Sequence, residues 1–127
     1  MIESMLIQVK RYLPLKILKI EWNGTTFHMH GSSWGFSSLS SWRISAEKKI
    51  VFGCFDKDST SLIANFENME IKEIGFQNES LKIDPVFFLS NGQKIEIFST
   101  DTYEPWIFHL DQLGTYVATP SEPNDFD

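Results

Sequence analysis

A single cysteine, Cys54, stands in the 127 residues, so no intramolecular disulfide can form and a scaffold stapled by cross-links is excluded. Its setting in the apolar stretch "IVFGCF" reads as a buried, inert thiol, which fits a reducing cytoplasm. Long hydrophobic runs are also missing: nothing approaches the roughly 18 apolar residues of a membrane-spanning helix. The N-terminal "MIESMLIQVKRYLPLKILKI" carries charges throughout, in place of the basic start and apolar core of a secretory leader. Basic residues are the scarcer charge, 11 against 17 acids, and they are unevenly placed. Residues 1–20 sum to +3 (four bases, one acid), whereas residues 50–127 sum to -10 (four lysines, fourteen acids). Such a balance repels nucleic acid phosphates and steers a basic protein partner toward the C-terminal two-thirds.

What is present is apolar bulk. Eleven Phe and four Trp in one domain-sized chain are enough to build a single core over residues 1–127. Ile2, Met5, Leu6, Val9, Tyr12 and Leu13 recur at three and four, which predicts an N-terminal amphipathic helix over 1–13 that Pro14 stops; a strand beginning as early as Met5 is the alternative. From there to residue 119 the period is two, broken by turn residues. "LKILKIEW" and "TTFHMH" flank Asn23-Gly24, and "KIDPVFFLS" and "KIEIFS" flank Asn91-Gly92, both hairpin signals. "SSWRIS", "KIVFGCF", "MEIKEIGF", "PWIFHL" and "TYVAT" complete an antiparallel meander of eight to nine strands, folded as a curled sheet or a sandwich. A short helix is expected near 59–67, where Leu62, Ile63 and Phe66 share a face behind Ser59 or Thr60, and residues 120–127 form an acidic irregular tail. The expected core is Phe27, Met29, Ile44, Val51, Phe87, Ile95, Ile97, Trp106 and Phe108.

The order "FFLSNGQKIEIFS", then "TYEPWIFHL", then a glycine turn and "VATPSEP" resembles small bacterial all-β domains of unknown function that occur as cytoplasmic immunity-type proteins of interbacterial toxin systems. The resemblance covers roughly residues 69–123. It implies a binding protein for a cognate toxin and brings no catalytic residues with it.

Three groups of residues invite a chemical reading. His28 and His30 point to one side of a strand while Phe27 and Met29 point to the other, and His109 is a conceivable third zinc ligand. The alternation alone explains the pair as a polar outer face, so no metal and no cofactor are expected. The serine run "SWGFSSLSSWRIS" lacks the G-x-S-x-G setting of a nucleophile. Its even positions Trp34, Phe36, Ser38, Ser40, Trp42 and Ile44 form one sheet face, packed against a neighbour or, if exposed, an interface. Acids at strand ends suit the lysines and arginines of a partner: Asp56 and Asp58 in "FDKD", and Asp101, Tyr103 and Glu104 in "STDTYEPW". The sequence therefore reads as a non-enzymatic acidic binding protein, an immunity protein for a basic toxin. The alternative is a β-rich interaction domain, homodimeric through an open sheet edge or the Trp34 to Trp42 face.

Overall fold

The computed structural model describes residues 2–100 and 104–118. Helix α1 (Ile2–Val9) runs into a 3-10 turn over Lys10–Tyr12. Ile2, Met5 and Val9 are buried, and Leu6, Tyr12 and Leu13 pack against the same core, so the three-four spacing marks the buried face. Eleven strands follow. They are β1 (Leu15–Lys16), β2 (Lys19–Trp22), β3 (Phe27–His30), β4 (Trp34–Ser38), β5 (Ser41–Ala46) and β6 (Lys49–Gly53), then, after helix α2 (Ser59–Ala64), β7 (Glu70–Phe76), β8 (Pro85–Leu89), β9 (Lys94–Phe98), β10 (Trp106–Leu110) and β11 (Gly114–Val117).

The mainly β, antiparallel fold is the one expected, with two or three more strands among the described residues. "LKILKIEW" divides because the chain changes sheets at Ile17: Ile17 N–H donates to Met69 O, while the next amide, Leu18, donates to His30 O. The serine run divides as well, into β4 and β5, with Leu39 and Ser40 as the crossing. A six-stranded sheet in the order β1-β7-β8-β9-β5-β6 faces a five-stranded sheet in the order β11-β10-β4-β3-β2. Two local meanders, β2-β3-β4 and β7-β8-β9, and two hairpins, β5-β6 and β10-β11, thus take the place of one continuous meander; the chain also changes sheets between β4 and β5 and between β9 and β10, while β5-β6 and β7-β8-β9 share the six-stranded sheet.

Alternation on both sheets turns one face of each inward, where aromatic rings from the two sheets meet. Phe36 on β4 lies 5.0 Å from Phe87 on β8, and Phe27 on β3 lies 5.2 Å from Trp42 on β5, centroid to centroid. The even positions Trp34, Phe36, Ser38, Ser40, Trp42 and Ile44 are all buried. They supply the inner faces of both sheets, so the Trp34 to Trp42 face is not an interface. Eight of the nine expected core residues are buried; Val51 is 39% exposed. Its error has a local cause. Ile44 pairs with Phe52 and Ser45 with Ile50, leaving Val51 as the extra residue of a bulge on the outermost strand.

Both Asn-Gly hairpins form, with loops at 23–26 and 90–93 and positive φ at Gly24 and Gly92. Asn23 Oδ1 accepts hydrogen bonds from the amides of Thr25 and Thr26. Helix α2 ends sooner than expected. Ser59 Oγ donates to Cys54 O and caps nothing, and Phe66 packs into the core from beyond the helix.

Candidate protein-binding end

The serines of the crossing explain how the loops are gathered. Ser38 Oγ and Ser40 Oγ both donate to Pro105 O, at 3.1 and 3.4 Å, and Leu39 N–H donates to the same carbonyl. Small hydroxylated side chains let the chain pass between sheets while they satisfy a buried carbonyl. The same contacts hold Glu104 beside the crossing, at a φ of +41° that few non-glycine residues adopt.

Pairing fixes which loops share this end. Ser41 lies opposite Phe98 and Arg43 opposite Gly53 in one sheet, while Ser38 lies opposite Trp106 and Phe27 in the other. Segments 23–26, 39–40, 53–58 and 104–105 therefore emerge together. Asp56, Asp58 and Glu104 are exposed there. Asp101 and Tyr103 lie outside the described residues. Asp56 is partly committed, since its Oδ2 accepts the Gly53 amide at 2.7 Å. Asp58 makes no side-chain cap to α2.

Two apolar residues that the sequence reading did not single out stand among these acids. Phe55 is 88% exposed and Leu39 71% exposed. Between Phe55 and Phe98 lies a shallow depression of about 260 Å³, with Ile50 and the backbone around Gly53 on its wall. The available signal was positional: Phe55 follows Gly53-Cys54 and precedes "DKD", at the point where the strand ends.

No family model matches this chain, and neither a curated protein nor a solved structure is significantly similar to it. Its chemistry has to be read from its own side chains.

The outer face of the five-stranded sheet carries all three histidines. His28 and His30 lie ring to ring at 5.3 Å, and His30 and His109 both pair with Gly35, one from each side. Burial, then the neighbouring His30, lower the His28 pKa against the opposing pull of Glu21. His28 Nδ1 is bonded to Ser37 Oγ at 2.7 Å. His109 has both ring nitrogens engaged, Nδ1 with Thr115 Oγ1 and Nε2 with Asp111 Oδ1, each at 2.9 Å. Among the described residues, no three His, Cys, Asp or Glu side chains converge on a point that could hold a metal ion. We expect the melting midpoint to be unchanged by zinc or by chelator; a chelator-induced drop that disappears in His28→Ala/His30→Ala contradicts that expectation.

The outer face of the six-stranded sheet carries an ion pair. Arg43 Nε and Nη2 donate to Glu96 Oε1 and Oε2 at 2.9 and 3.3 Å, and Ser45 Oγ donates to Oε1 at 2.6 Å. The guanidinium lies 4.7 Å from the Phe98 ring centroid. Burial raises the Glu96 pKa, but the hydrogen bonds from Arg43 and Ser45, with the charges of Arg43 and Lys94, more than reverse this, and the carboxyl sits below its ordinary value. Every oxygen of the carboxylate has a partner, so the pair reads as a cross-strand tie.

Among the described residues, no helix is long and apolar enough to cross a membrane.

Proposed function

We propose that this protein is a non-enzymatic acidic binding protein of the immunity type, which neutralises a basic cognate toxin in the cytoplasm by direct contact. One observation carries the reading: a nearly fully exposed Phe55 precedes Asp56 and Asp58 on the same end of the sandwich as exposed Leu39 and Glu104. Apolar side chains among exposed acids, with Lys57 between Asp56 and Asp58, form an anchor and a predominantly acidic rim for a basic partner. The -10 balance of residues 50–127 adds long-range attraction for a basic surface.

The test is binding kinetics against the product of the neighbouring gene, at several salt concentrations. Asp58→Lys with Glu104→Lys should slow association by about tenfold at low salt and flatten its salt dependence, because charge acts on the encounter. Phe55→Ala should leave association near the wild-type rate and speed dissociation by about tenfold or more, because it removes contact area without changing the field. Charge reversals without effect on association at low salt would reduce the acidic rim to a solubility feature.

A further inference from the structure

Gly53 leaves a gap in the outer face of the six-stranded sheet. It lies opposite Arg43, and a Cβ built there would stand 3.6 Å from the Arg43 Cβ, on the face where Arg43 meets Glu96 and Phe98. Without that carbon the end of β6 opens into the depression of about 260 Å³, walled by Ile50, Phe55 and Phe98 and lined also by Asp56. Small-molecule pockets usually enclose about 300–1,000 Å³. A smaller, open depression suits a single side chain presented by a partner surface.

Two features select the chemistry of that side chain. The walls are apolar, and the Phe55 ring is almost wholly exposed and free to take a stacked group. Against them stands one fixed carboxylate. Asp56 Oδ2 accepts the Gly53 amide at 2.7 Å and the Asp56 amide donates to Gly53 O, so the turn holds the acid in place and leaves Oδ1 for a partner. An apolar side chain seated here would strip water from that carboxylate and return no hydrogen bond. A lysine or an arginine lays methylenes on the walls and brings a cation to the acid. Arginine fits better, because its planar, weakly hydrated guanidinium stacks on rings as well as pairing with carboxylates. The same wall already contains that contact, between Arg43 and the Phe98 ring. Arg43 is not a bare charge facing the newcomer, since Glu96 accepts two of its N–H groups, and Lys57 is flanked by Asp56 and Asp58.

We propose that the depression between Phe55 and Phe98 receives one arginine side chain of the protein partner, its stem against Ile50 and Phe55 and its guanidinium on Asp56 Oδ1. The inference rests on the reading of this end as a surface for a basic protein, and it names the group that the surface grips.

Titration of the full chain with tripeptides capped at both ends, followed by NMR at the Gly53 amide and the Phe55 ring, tests it without the partner. Gly-Arg-Gly is expected to bind saturably, with a Kd of roughly a few millimolar. Gly-Lys-Gly should bind about threefold more weakly, and Gly-Leu-Gly and Gly-Glu-Gly about tenfold or more. Two variants probe the site while sparing the fold, which melting midpoints near wild type verify. Gly53 has no positive φ and its added Cβ meets nothing nearer than 3.5 Å, so Gly53→Ala puts a methyl into the depression at constant charge and should weaken Gly-Arg-Gly by about fivefold. Asp56→Asn keeps an oxygen for the Gly53 amide but loses the charge, and should weaken it by about tenfold. Gly-Leu-Gly bound as tightly as Gly-Arg-Gly overturns the inference. So does an arginine affinity that Gly53→Ala leaves unchanged, which is diffuse attraction to the acids, or the lack of a saturable shift up to about 50 mM. The two readings fail separately. Gly-Arg-Gly held in the depression, with no binding by the product of the neighbouring gene, sinks the toxin partner alone; a gene product that binds wild type and Gly53→Ala equally well sinks the arginine site alone.

Discussion

Phe108→Ala lowers the unfolding free energy by about 3–5 kcal/mol, the usual cost of emptying an aromatic site in a packed core. Phe108 has no exposed surface, lies opposite both Phe36 and Tyr116 in the ladders of β10, and stacks on Trp34 at 6.3 Å between centroids. Its neighbours are large rings on rigid strands, which cannot collapse into the space left behind, so the cavity term is added to the lost transfer energy. Denaturant unfolding monitored by tryptophan fluorescence gives the value. Ile107→Ala on the same strand is the control: Ile107 points outward at 40% exposure and its loss should cost less than about 1 kcal/mol. A Phe108 change as small as that of Ile107 would contradict the assignment of the inner face.

Arg43→Met should destabilise by about 2–3 kcal/mol at neutral pH. The figure lies below the range for a fully buried pair because the Arg43 side chain is 37% exposed, whereas Glu96, left without its main partner, is 8% exposed. The pH dependence separates a charge effect from lost packing. In the wild type the folded Glu96 pKa lies below the ordinary value, so its contribution is complete above the unfolded pKa and is lost as pH falls through the folded one. In the variant both lowering influences of Arg43 are gone, so the carboxyl sits higher than in the wild type, and protonation relieves the stranded charge. The gap between the two proteins should therefore narrow below about pH 4.5. A gap of constant size down to pH 3 would assign the loss to the stacking of Arg43 on Phe98.

The dipeptides Asn23-Gly24 and Asn91-Gly92 and the apolar-polar alternation along β3 and β9 made the antiparallel class legible, because turn geometry and side-chain alternation are local properties. Local pattern equally marked α1 and the inward face from Trp34 to Ile44. It could not show that this face serves two sheets, since a strand that crosses a sandwich keeps its alternation through the corner. Nor could it place Val51 outside: a bulge is a relation between two strands, and β6 is an edge only because β5 takes β9 as its other neighbour. For the candidate binding end, the chain itself determined the acids Asp56, Asp58 and Glu104 as turn residues of an acidic protein. The exposure of Phe55 and Leu39 beside them was decided by tertiary structure alone, because whether an apolar side chain is buried depends on which strands end near it, and those strands are distant in sequence.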